Sequence, residues 1–372
     1  MERLPETPNW EYRMFWYLAY AYFQNESFFN SFFAKSKRLL SKLEDILYKK
    51  NWEQIEIKYP IFIIAPHRSG TTILQQLLCL HSMIATPRTY SDIFDMFPIL
   101  SKKFARVLIP GKMYRRIDNI IAGFDSPQEA QGLIFRYFDK QKVKYNPATS
   151  EDVKNYMRKV LLIEDKKRFL WKTPYLSIRV PEVNVLFPDA KFIYLHRDPV
   201  SCIDSKIKFI HIWQEIAENP TFVYRALVGK NDHFELGGSG YFWERLNRTI
   251  NLRYLPPDPH ALTQDHVDWV ERALRDLNSL ASSEKTCFIS YSKLIWEPKD
   301  SLERLFEFLD LPDESDSIIV NLERLGMSLK MSESSLKFIP NESITEIMEL
   351  CQEKMQKCLS GVGWGKWCVI GR

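Results

Sequence analysis

The chain has 372 residues, with 51 Lys and Arg against 47 Asp and Glu, for a formal net charge of +4. At roughly 150 residues per domain, that length allows two domains or one large α/β domain. Hydrophobic residues at 45% and charged residues at 26% exclude disorder, collagen and coiled coil, and so small a net charge excludes a general nucleic-acid or polyanion binder, leaving anions to local sites.

In chain order, residues 10–50 are predicted to be helical. They open on an aromatic run at 14–23 (MFWYLAYAYF), about half a membrane span long and without a signal-peptide arrangement. This helix is a candidate for peripheral membrane contact, with ordinary packing as the alternative. A basic Lys/Leu stretch of helical apolar spacing follows (KSKRLLSKLEDILYKK). Residues 61–65 (IFIIA) form an apolar, β-branched run of buried-strand type, and 71–80 read as a helix. Residues 92–165 read as mainly helical, 169–171 as a short strand, 181–187 as a helix and 191–196 (KFIYLH) as a strand. Glycines 237, 238 and 240 and prolines 256, 257 and 259 mark 220–264 as an irregular insertion. A helix at 265–282, a strand at 286–290 and a helix at 301–309 complete the pattern. Strands alternating with helices predict an α/β fold with a parallel, helix-covered sheet.

Strand, then Ala65-Pro66-His67-Arg68-Ser69-Gly70-Thr71-Thr72, then helix is the arrangement of a phosphate-binding loop, where backbone N–H groups and the helix dipole face an anion. The Walker pattern fails here: Ala65 replaces its first Gly and Thr71 its Lys. Arg68 supplies the cation instead. Arg197 follows another strand at its carboxyl end, the edge where open α/β sheets bind ligands, and Ser205 lies about two helical turns further on. Lys172 ends a third strand, where a Lys can reach a transferring group as a point charge. Each also has a plain structural alternative as a surface or capping residue.

Together these segments resemble the sulfotransferases that use 3′-phosphoadenosine 5′-phosphosulfate (PAPS). Residues 66–72 (PHRSGTT) resemble the family's 5′-phosphosulfate loop, and 192–199 (FIYLHRDP) with Ser205 its 3′-phosphate motif. Residues 169–174 (FLWKTP) resemble the strand that delivers a catalytic Lys. Tyr291, in YSKL followed by Glu297-Pro298, resembles the Tyr near the adenine. The match covers roughly 58–205 and 284–313 and is closest to the broad bacterial-type group, with some likeness to tyrosylprotein sulfotransferases.

The resemblance implies a P-loop-type parallel sheet flanked by helices. A helical extension (1–57) would precede the α/β domain (58–315), which carries an acceptor-side insertion at about 206–264, and a helical C-terminal segment (316–372) would pack on the same domain. It implies a PAPS site made of Arg68, Ser69, Gly70, Thr71, Thr72, Arg197, Ser205 and Tyr291, with Lys172 and Arg68 catalytic. The base does not carry over from the family, because Pro174 stands where aryl sulfotransferases have His. Glu129, in FDSPQE, is the first candidate and Asp92 the second.

No metal is expected, since the six cysteines form no C-x-x-C pair or ligand spacing. Unpatterned cysteines point to reduced thiols and a cytoplasmic protein. The expected acceptor is an apolar or aromatic small molecule, a lipid or a glycan, walled by 92–165 and 206–264, including Phe209 and Trp213. The alternatives are a P-loop nucleotide kinase and an inactive nucleotide-binding scaffold.

Overall fold

The apolar run at 61–65 forms β1 (Ile61–Ile64), and all four of its residues are buried, as a strand covered on both faces requires. The computed structural model describes residues 29–108, 114–115, 121–123, 125–130, 133, 147–218, 259–280, 283–324, 329, 339, 344–345, 347, 349–351, 353 and 368–370. The aromatic run at 14–23 therefore lies outside the described residues.

Before β1 comes the long helix α1 (Phe29–Trp52), and after it α2 (Thr71–Leu78), β2 (Ile84–Ala85), α3 (Thr89–Ile93) and α4 (Pro98–Leu108). Two short strands, β3 (Tyr114–Arg115) and β4 (Ile121–Ala122), pair antiparallel. Then follow α5 (Pro147–Glu164), β5 (Arg168–Lys172), a 3₁₀ turn (Pro174–Ile178), α6 (Val180–Leu186), β6 (Lys191–His196) and α7 (Pro199–Glu218). The last elements are α8 (Pro259–Asn278), β7 (Thr286–Ser290), α9 (Tyr291–Trp296), α10 (Pro298–Phe308), α11 (Ser315–Arg324) and β8 (Cys368–Ile370).

The main sheet has the order β2-β5-β1-β6-β7-β8, and each neighbouring pair runs parallel. Its helix-covered, parallel form is the expected α/β class. Side chains of a strand alternate between faces, so the sheet builds two cores. Phe62 and Ile64 join Trp171, Phe192 and Tyr194 with residues of α5 and α8. Ile61 and Ile63 join Leu170, Ile193 and Leu195 with residues of α2, α9 and α10. Each fully buried Ile, Leu or Phe contributes about 1.5–3 kcal/mol relative to exposure. Register brings Ile63 opposite Lys172 and Ile193, so the parallel strands β5, β1 and β6 deliver their following loops to one edge, with β6 running two residues beyond the partner of Ile64.

Within the mainly helical segment 92–165, β3 and β4 add a short antiparallel pair. Two readings need correction. The helix expected from 265 begins at Pro259, since Pro has the fixed φ suited to a first helical turn; its carbonyl accepts the Thr263 hydroxyl at 2.7 Å. The irregular reading of 220–264 thus fails for 259–264, and residues 219–258 lie outside the described residues. The C-terminal segment is not wholly helical: Cys368–Ile370 pairs with β7 as the sixth strand, held by backbone bonds that a three-residue run does not announce.

On α1, Glu44 is completely buried. Its carboxylate accepts the Leu100 N–H at 2.9 Å and lies 3.0 Å from Lys159 Nζ of α5. Lys159 also bonds Asp45 at 3.0 Å and lies over the Trp52 ring. These contacts hold one face of α1 on α4 and α5. Among the described residues no helix is long and apolar enough to cross a membrane.

Candidate active site

The loop after β1 is clamped from below. Ala65 N–H donates to Ser177 Oγ at 2.9 Å, and the Ser177 hydroxyl donates to the Ala65 carbonyl at 2.8 Å. The Ser69 hydroxyl donates to the Pro66 carbonyl at 2.9 Å, so Ser69 has its backbone N–H, rather than its hydroxyl, to offer an anion. Arg68 and Gly70 both take left-handed backbone, with φ of 67° and 91°. Gly70 is the N-cap of α2, where the first helical N–H groups have no acceptor within the helix. A Cβ on Gly70 would lie 2.5 Å from Tyr291 Cδ2, which is the close approach that glycine permits.

Two guanidinium groups meet at this loop. Arg197 donates through Nη1 to the Arg68 carbonyl at 3.0 Å and lies 4.6 Å from the centre of the Tyr291 ring. Arg68 donates through Nε to Ser205 Oγ at 3.1 Å and stacks over Phe209 of α7 at 5.0 Å. Among the described residues Arg197 is ion-paired to no carboxylate. Arg68, Gly70, Arg197, Ser205 and Tyr291, drawn from four separate segments, thus form one connected cluster.

At the other end of the loop, Lys172 is 3% exposed. Its Nζ donates to Thr72 Oγ1 at 3.1 Å and forms a close ion pair with Glu129. The segment carrying Glu129 is held by three further bonds. Trp171 Nε1 donates to the Glu129 carbonyl at 2.8 Å, Gln75 Nε2 to the Gln128 carbonyl at 2.9 Å, and Gln128 N–H to the Pro87 carbonyl at 2.8 Å. Ala130, next in the chain, adopts φ of 47°, a strained conformation for a residue with a Cβ. Asp92 is buried on α3, with Oδ1 lacking a hydrogen-bond partner. Burial above all, then the charges of Asp95 and Glu129, pushes its carboxyl well above the usual carboxylate range. Thr71 is buried at the start of α2.

Beside Lys172 and Arg68 stands an aromatic group that sequence reasoning did not single out. His67 lies 4.9 Å from the Trp269 ring and 5.7 Å from the Tyr175 ring, and those two rings meet edge-on at 5.8 Å. Burial, reinforced by the charges of Lys206, Lys172 and Arg68, lowers the His67 pKa to about 3, so the imidazole is neutral. Tyr175 follows Lys172 by three residues and could have been read from the strand end. Trp269 could not, because it arrives from α8, nearly 100 residues later. Of the expected acceptor wall, Phe209 touches Arg68, no side-chain contact is described for Trp213, and Phe222, Tyr224, Phe234, Tyr241, Phe242 and Trp243 lie outside the described residues.

Residues 60–227 match the model of the sulfotransferase family. The chain is also similar to bacterial sulfotransferases. It is 25% identical, over 279 residues, to the omega-hydroxy-beta-dihydromenaquinone-9 sulfotransferase Stf3 of Mycobacterium bovis and, equally, to that of Mycobacterium tuberculosis. The alignment covers 68% of this chain and 63% of those relatives' length. In fold it is similar to the sulfotransferase STF9 of Mycobacterium avium, with a TM-score of 0.52, 14% identity and coverage of 94% of this chain and 92% of that one. That likeness shows the fold alone, an α/β fold with a parallel sheet flanked by helices.

Proposed function

We propose that this chain is a PAPS-dependent sulfotransferase acting on a hydroxyl of an apolar acceptor, a lipid alcohol in the first place. The observation that carries the reading is Lys172, whose Nζ bridges Thr72 of the anion loop and the carboxylate of Glu129. One buried cation joins the place where a transferring group would sit to a base that could deprotonate its acceptor.

The residues fit the donor nucleotide. Gly70 leaves room for close approach, the start of α2 offers N–H groups, and Arg68, Arg197 and Ser205 form a cationic cluster suited to a second phosphate, with the Tyr291 ring beside it. PAPS supplies an activated sulfuryl group: the acceptor oxygen bonds to sulfur, and the sulfur–oxygen bond to the 5′-phosphate breaks, its electron pair staying on the nucleotide. In this reading Glu129 takes the acceptor proton. Lys172 and Arg68 hold the charge that grows on the bridging and sulfuryl oxygens. Asp92, whose carboxyl is pushed up above all by burial, is the second candidate for the base.

For the acceptor, the wall of His67, Tyr175 and Trp269 offers apolar and aromatic surface without a formal charge. The similar Stf3 is named for a hydroxylated menaquinone, which supports a lipid over a glycan. Cys79, Cys202 and Cys351 are free thiols, which supports a cytoplasmic location.

The test is transfer of labelled sulfate from PAPS to a panel of lipid alcohols, phenols, sterols and glycans, with titration of adenosine 3′,5′-bisphosphate against ADP. Labelled lipid alcohol and a preference for the 3′-phosphorylated nucleotide are the expected results. A preference for ADP would point to a kinase, and tight bisphosphate binding without transfer to a scaffold; either would overturn the assignment.

A further inference from the structure

The helix α1 presents two unlike faces. Its inner face is fixed by Glu44 and Trp52. Its outer face carries Leu39, Leu43, Ile46 and Leu47, which are 67%, 40%, 80% and 51% exposed. Their spacing of three and four residues sets them in one stripe along the helix. Four large aliphatic side chains on consecutive turns, all solvent-facing, are a surface awaiting cover rather than scattered exposed residues.

The charge around the stripe says what covers it. Arg38, Lys42, Lys49 and Lys50 are all exposed on the same helix. Its two acidic residues, Glu44 and Asp45, are both engaged by Lys159 on the inner side. The outer face therefore carries apolar groups and cations and no anion of its own. A second copy of this chain would bring those cations against each other. An anionic bilayer surface satisfies both features at once: headgroups meet the cations, and the aliphatic side chains enter the acyl boundary. Lys50, in line with Leu39, Leu43 and Ile46, can lay its stem on the apolar stripe and keep its ammonium among the headgroups.

We propose that α1 is a membrane-docking helix that lies in the plane of an anionic lipid surface on the stripe Leu39–Leu43–Ile46–Leu47. The proposal uses no residue of the nucleotide site and stands independently of the reaction assigned above.

The test is flotation of the full chain with phosphatidylcholine vesicles, with and without phosphatidylglycerol, for wild type, Leu43→Glu/Ile46→Glu and Lys42→Glu/Lys49→Glu. All four positions are exposed, and thermal unfolding checks that both variants keep the fold. The wild type should float with anionic vesicles only and be released by salt. Each double variant should lower partitioning by at least about tenfold, since each cation near such a surface is worth roughly fivefold. Wild-type binding by both variants would place any membrane contact outside this helix and overturn the proposal. So would failure of the wild type to float, or a change in sedimentation mass showing that the stripe joins two copies.

Discussion

The Tyr291 ring lies against Gly70, so that a side chain on that glycine would lie within 2.5 Å of Tyr291 Cδ2. The same ring takes the Arg197 guanidinium on its face. Gly70 is thus both the turn that starts α2 and the space that lets Tyr291 stack against the Arg197 guanidinium. Gly70→Ala must place a Cβ at φ of 91°, at a cost of roughly 1–2 kcal/mol, and must also displace the ring. We expect lower stability and at least about a tenfold loss of affinity for adenosine 3′,5′-bisphosphate, both measurable by calorimetry. Unchanged affinity would mean that the Tyr291–Arg197 stack does not contact the nucleotide.

Lys172 and Glu129 separate the roles in the proposed reaction. Lys172→Ala should lower kcat by on the order of 10²–10³, the loss common on removing a preorganised charge-stabilising group. Glu129→Gln should lower it by about 10²–10⁴ if this carboxylate is the base. Asp92→Asn should lower kcat less, because burial pushes that carboxyl well above the usual carboxylate range and it is Glu129 that pairs with Lys172. Single-turnover transfer in the three variants distinguishes the bases: a larger loss at Asp92 than at Glu129 would reverse the assignment.

Trp171 tests whether Glu129 must be held. Its indole N–H donates to the Glu129 carbonyl while its ring is buried against Phe62 and Phe169. Trp171→Phe keeps an aromatic ring but removes the donor, leaving that carbonyl short of a partner at a cost of about 1–3 kcal/mol. As a positioning residue it should lower kcat with little change in KM. A proportionate fall in stability alone, with kcat intact, would leave it a purely structural role.

What was legible in the sequence follows from where the information lies. β1, β6 and β7 are continuous apolar runs, and β6 and β7 have the bounds expected from the sequence, because a strand buried on both faces must be apolar throughout. The strand, turn and helix start around 65–72 were legible for a related reason: they sit in consecutive residues. Glu129 could be proposed only by resemblance, since nothing near it in sequence shows that Lys172 and Trp171 will meet it. The aromatic wall was hidden because Trp269 arrives from α8, and β8 because its pairing is a matter of backbone bonds rather than side-chain pattern. The outer stripe of α1 had the right periodicity but could not be told from a core-facing stripe until Glu44, an acidic residue, proved to be the buried one.

That inversion gives a stability prediction. Glu44 is fully buried, with Lys159 as its counter-ion, and burial already pushes its carboxyl up against the opposing pull of Lys159. Lys159→Met fills similar space but leaves a buried carboxyl without its cation, a change that commonly costs about 3–5 kcal/mol. Adding Glu44→Leu should recover much of the loss, because it removes the orphaned group. Urea unfolding of the single and double variants checks this. Additive losses in the double variant would show that the two side chains are not coupled.

A final prediction concerns acid. His266 on α8 is 5% exposed, and burial, then the charge of Lys206, lowers its pKa to about 4. In the unfolded chain a histidine titrates near 6.5, so between those values the unfolded state binds a proton that the folded state does not. Stability must then fall as pH drops through this window, with a limiting slope of about 1.4 kcal/mol per pH unit for one such group. Above roughly pH 6.5 both states are neutral at this site and the contribution is flat. His67, lowered to about 3 by burial and neighbouring cations, adds a second group of the same sign, so the wild-type slope should exceed that of one histidine. Urea midpoints followed from neutral to acid pH in wild type and in His266→Leu measure it. The variant should lose about one proton's worth of slope whatever its absolute stability. An identical slope in both proteins would mean that His266 is protonated in the folded state and that the packing around α8 is more open than described.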